Sequence, residues 1–145
     1  MMPGIPKLIF WAIVLVGGYY GLNYVKVHTS ADVVAYKRFA KAVLNADSHV
    51  ARQVADSELV EAVIEKDDRR QELYNGVRIL LTYYKVLSQN LTPDGNSSIL
   101  VVEQISRVDS AGQPGFWGDR EIRMRHTAKL EYENYRWRVT HFDEQ

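Results

Sequence analysis

The sequence predicts an α+β protein: an N-terminal transmembrane helix, then helices packed on an antiparallel sheet of about four strands. Three observations predict it. Residues 8–25 hold no Asp, Glu, Lys, Arg or His. Apolar residues recur at helical spacing between Val33 and Ile64. From Val77 the texture turns β-branched and aromatic, and it closes in two stretches of alternating apolar and polar residues.

The totals bound the function. A chain of 145 residues suits one domain, and the part after residue 30 is large enough to bury a core without staples. Lys plus Arg and Asp plus Glu number 18 each, so there is no basic surplus to neutralise phosphates, and a nucleic-acid partner is not expected. Cysteine is absent, which removes disulfides, thiolate metal sites and thiol nucleophiles together.

The first segment, 1–26, reads as a membrane anchor. A bilayer core takes roughly 20 mainly apolar residues as a helix, and 8–25 is just long enough. Lys7 and Lys26 bracket the run, with Trp11 towards one end and Tyr19, Tyr20 and Tyr24 towards the other, where amphipathic rings favour the headgroup zone. A cleaved signal peptide would show a small-x-small site after the apolar run, and no Ala-x-Ala is present. Gly17 and Gly21 form a small-xxx-small pair that lets a second helix approach closely. Lys26, Lys37, Arg38 and Lys41 lean towards a cytoplasmic domain, whereas a very short tail ahead of an uncleaved anchor favours export. The expectation taken forward is a bacterial inner-membrane protein, single-pass, with a periplasmic domain.

The second segment, 30–145, reads as one folded domain. Ser30 can cap a helix that buries Val33, Tyr36, Ala40, Val43 and Leu44 on one stripe. A second helix follows Asp47, with Val50 and Val54 inward, and Ser57 can cap a third. The charge run at 67–70 reads as a solvated face or turn, and Asn75-Gly76 ends the helical part. Strands are expected over 77–91, 98–109, 121–133 and 135–143, with a turn at 92–96 and a glycine-rich loop at 110–118. In the last hairpin, a two-residue turn at Glu133-Asn134 would pair Tyr132 with Tyr135, Leu130 with Trp137, Ala128 with Val139 and His126 with His141. Both apolar sets then share a face, and a one-residue slip would separate them.

Helices first, then four long strands closing on Tyr135-Arg136-Trp137-Arg138-Val139, resembles the nuclear-transport-factor-2-like (cystatin-like) superfamily. The helix stripe from Val33 to Leu44 and the alternation over 121–133 carry the likeness. The resemblance implies a curved sheet wrapped around the N-terminal helices as a cone with a pocket. The family holds isomerase-like and dehydratase-like enzymes and also non-catalytic subunits, among them a single-pass assembly component of type IV secretion systems.

Candidate functional residues fall in three groups. His126 and His141 would face each other at the mouth of the cone, able to act as acid and base. A metal would need a third ligand, which no nearby His-x-x-x-His or acidic cluster supplies, so no metal and no cofactor is expected. Tyr83, Leu130 and Trp137 would line the pocket. An inward acid is missing unless a bulge turns Glu103 or Asp109 inward, which weakens the case for catalysis. Phe116 and Trp117, between two glycines, together with Gly17 and Gly21, are candidates for partner contact. The expected function is a membrane-anchored accessory or assembly subunit that acts by docking. Its partners would be lipid along 8–25 and either other membrane-complex subunits or a second copy of the chain. The alternative is a small-ligand binder or enzyme using the cone.

Overall fold

The computed structural model describes residues 6–67, 69–110 and 120–145. The chain begins with α1 (Lys7–Thr29), and Ser30, in extended conformation, separates it from α2 (Ala31–Leu44). Next come α3 (Ser48–Val54), α4 (Ser57–Val60) running into a π-helical turn (Glu61–Glu65), and α5 (Arg69–Tyr74). Four strands follow, β1 (Val77–Leu91), β2 (Ser97–Ser110), β3 (Arg120–Glu133) and β4 (Arg136–Glu144), paired in sequence order as an open antiparallel sheet. The α+β class expected from the sequence holds.

Helix α2 is the centre of the core. Val33, Tyr36, Phe39, Ala40 and Val43 pack on the inward row of the sheet, Leu100 and Val102 of β2, Ala128 and Leu130 of β3, and Val139 and Phe142 of β4. Asp47 accepts from the Val50 N–H at 3.2 Å and so caps α3. Ala55, just after α3, bridges in parallel to Val139, and Arg138 donates to Asp56 at 2.8 Å. The β4 edge is therefore partly covered, while β1 forms the other edge.

Three expectations change. The closing turn is Asn134-Tyr135, not Glu133-Asn134: both residues have positive φ, 50° and 65°, the conformation of a two-residue hairpin turn that follows the strand twist. Tyr132 then pairs with Trp137 and Leu130 with Val139. The shift is by two residues, so Leu130 and Trp137 still share a face. Second, the register jumps between Lys129↔His141 and Leu130↔Val139, which leaves Thr140 as a bulge whose hydroxyl donates to the Lys129 carbonyl at 3.2 Å. The bulge flips His141 to the outer face, and His126 meets Glu144 instead. Third, bulges at Leu80 and Leu87 shift β1, so Ile79, Thr82, Tyr84 and Val86 share the inward face and Tyr83 turns outward with Leu81.

The N-terminal helix differs as well. Among the described residues, no helix is long and apolar enough to cross a membrane. Side chains of α1 are described from Lys7 to Leu22 and at Val25 and Lys26, and all of them are exposed. Gly17 and Gly21 have nothing within 4 Å of a Cβ placed on them, so their faces are open. Phe116 and Trp117 lie outside the described residues.

Candidate functional site

A hydrogen-bonded chain crosses the core. Tyr36 lies one turn beyond Asp32 on the buried face of α2, and its Oη is 2.6 Å from Nδ1 of His126 on β3. Nε2 of the same imidazole is 2.9 Å from Glu144 at the end of β4. Burial above all, then the nearby Tyr84 phenol and Glu144, pushes the Tyr36 hydroxyl far above its ordinary range. It stays protonated and donates to Nδ1. With Nδ1 accepting, an Nε2–H is placed to donate to the Glu144 carboxylate.

The Thr140 bulge builds this chain, because it brings Phe142 and Glu144 to the inward face in place of His141 and Asp143, and Glu144 then pairs with His126. The chemistry it allows is restricted by access. His126 is 1% exposed and is boxed in by Phe142, with ring centres 4.6 Å apart, and by Tyr36. Both ring nitrogens are used. The arrangement ties α2, β3 and β4 together and leaves no face for a substrate. The sequence placed His126 inward correctly, but the acid beside it is Glu144, not Glu103 or Asp109. Asp109 is paired with Arg78 at 2.6 Å, and Glu103 with Arg123 at 2.7 Å. Among the described residues, no group of three metal-binding side chains forms.

Tyr84 continues the row, edge-on to Tyr36 with ring centres 5.9 Å apart. Burial, then the Tyr74 phenol, pushes its hydroxyl up to about 12, and its buried Oη has no hydrogen-bond partner among the described residues. The Tyr84 side chain also lines a cleft of about 500 Å³ between the end of α2 and β1, with Leu44, Ile79 and Leu80 as greasy walls and Lys41, Asn45 and Thr82 as polar groups. Of the residues expected to line a pocket, Leu130 is fully buried and Trp137 is packed against the core. Tyr83 is exposed on the opposite face. The cleft thus opens over the β1 side of the sheet, away from the imidazole.

A second buried polar group was not singled out by sequence reasoning. Asp32 of α2 is 2% exposed and accepts from the Ser98 hydroxyl at 2.6 Å and from Gln89 Nε2 at 2.8 Å. Burial raises its carboxyl, but hydrogen bonds from Ser98, Gln89, Ser30 and the Val33 N–H outweigh this and hold it below the ordinary carboxylate range. Gln89 also reaches the Ser30 hydroxyl at 3.2 Å. The start of α2 is fastened in this way to the tip of the β1–β2 hairpin. An acid in the first turn of a helix is a visible signal, but its burial depends on which strand lies beside it.

Set beside known proteins, the chain matches no family model and no curated protein. Among solved structures, it is similar to the crystal structure of the intermembrane space region of the chloroplast protein ARC6. The TM-score is 0.45 at 15% identity, over 80% of this chain and 96% of that one.

Proposed function

We propose that this chain is a membrane-anchored accessory subunit that acts by protein–protein docking, with α1 in a bilayer and the α+β domain as the docking body. The observation that carries it is the state of α1. Its described side chains, among them Leu8, Phe10, Trp11, Ile13, Leu15 and Leu22, are exposed, and none belongs to the core cluster. A contiguous apolar surface of this kind needs a cover, and lipid is the cover that suits a run without an ionisable group. At about 1.5 Å per residue, the 23-residue helix is about 35 Å long.

What supports docking over catalysis is the closed histidine. The only inward imidazole of the sheet serves as a tie, and apolar side chains Leu81, Tyr83 and Leu87 are exposed along β1. The nuclear-transport-factor-2-like assignment, a bacterial inner membrane and a periplasmic domain belong to the same proposal.

The test is purification of the full chain in mild detergent from its host. A defined partner at fixed stoichiometry supports the reading, and a monomer that stays in the aqueous phase without detergent overturns it. One observation favours a second reading, a small-ligand binder: the cleft walled by Leu44, Ile79 and Leu80 is open and large enough for a compact apolar molecule. Native mass spectrometry of the purified chain separates the two, since a retained small molecule supports the binder and a bare chain beside a protein partner supports the subunit.

A further inference from the structure

We propose that the end of the domain bearing the two hairpin turns rests on the bilayer surface, with Tyr135 and the Tyr132–Trp137 pair in the headgroup layer. The inference builds on α1 as a lipid-embedded anchor and adds a docking surface that the anchor alone does not require.

Three independent observations converge on that end. The first is placement. Gln89 holds Ser30, and Ser98 holds Asp32, so the start of α2 and the exit of α1 lie beside the β1–β2 tip. The Tyr132 N–H donates to the Asn96 carbonyl at 2.8 Å, which brings the β3–β4 tip to the same end. Lys26, the charge that closes the apolar run, precedes Ser30 by about one helical turn. A bilayer holding α1 therefore lies at the same end of the domain as both tips, and continuity of the chain selects lipid as the occupant.

The second is composition. Tyr132 is 41% exposed and stacks against Trp137 with ring centres 5.5 Å apart, and Leu91, at the end of β1, is exposed as well. Aromatic rings with one apolar and one polar edge favour the membrane interface.

The third is backbone conformation. Tyr135 has φ 65° and is 95% exposed. A bulky side chain in the left-handed region is disfavoured where glycine is not, and here its burial returns nothing to the fold. A ring kept at such a position points to a contact outside the domain.

The chain has no cysteine, so single reporters can be introduced cleanly. The full chain is reconstituted in phosphatidylcholine vesicles with a bimane fluorophore on Ile13→Cys, Glu133→Cys or His49→Cys. His49 is exposed beyond the far end of α2, about 20 Å from its start. Headgroup-nitroxide lipid should quench Glu133→Cys several-fold more than His49→Cys, and acyl-chain nitroxide should quench Ile13→Cys. Adding Tyr135→Gly should bring the Glu133 reporter close to the His49 level. If Ile13 is quenched while Glu133 matches His49, or if Tyr135→Gly leaves Glu133 unchanged, the docking surface is overturned and the anchor stands. An unquenched Ile13 overturns both.

Discussion

At the scale of single residues, the stakes are highest where polar groups are buried. His126 serves two partners at once, so His126→Phe should keep the ring packing against Phe142, strand the Tyr36 hydroxyl and take one partner from Glu144. A stranded buried hydroxyl costs about 1–3 kcal/mol, so urea unfolding should show a loss of roughly 1–3 kcal/mol. Asp32 carries a pH signature. Its folded carboxyl lies below the ordinary 3.8, so its contribution is present above that value and is lost as pH falls from there through the lower folded value. Thermal unfolding followed downwards from pH 5 should steepen below about pH 4 in the parent chain, and less so in Asp32→Asn. The inward place of His126 was legible, because the alternation over 121–133 needs only local pattern. The outward flip of His141 was not, because the extra residue Thr140 interrupts a regular sequence without a glycine or proline to mark it.

Elements obey the same logic one level up. Helix α2 and all four strands were legible from periodicity, and the faces of the closing hairpin survived a wrong turn as far as Val139, because an error of two residues preserves parity. The turn itself was hard to place. Asn134 tolerates positive φ, but Tyr135 gives no such signal, so Glu133-Asn134 and Asn134-Tyr135 compete on composition alone. Tyr83 left the expected pocket face for a related reason: Leu80 bulges out of β1, and a run of apolar residues on both sides of it hides the change of phase. The hairpin permits a sharp prediction. Tyr135→Gly removes the left-handed penalty of a side chain that the fold does not bury, and should raise stability by about 1 kcal/mol in urea unfolding. Stabilisation combined with weaker lipid contact would mark Tyr135 as kept for the membrane surface and not for the hairpin.

For the whole molecule, the telling feature is how little α1 shares with the rest. Its described side chains are exposed throughout, and the core cluster is drawn from α2 to α4, the π-helical turn and the sheet. Anchor and domain should therefore fail separately. A lysine at the middle of a spanning helix costs about 2.5–3.5 kcal/mol of insertion free energy, a large fraction for a run diluted by Gly17, Gly18, Tyr19, Tyr20 and Gly21. Val14→Lys should move much of the full chain from the membrane pellet to the supernatant on fractionation. Its domain should melt within about three degrees of the parent in the same detergent, because Val14 is exposed and outside the core cluster and surface changes stay within about 0.5 kcal/mol. Retention of Val14→Lys in the pellet at the parent level would place the tether elsewhere. A matched drop in melting temperature would mean that α1 is packed into the fold after all.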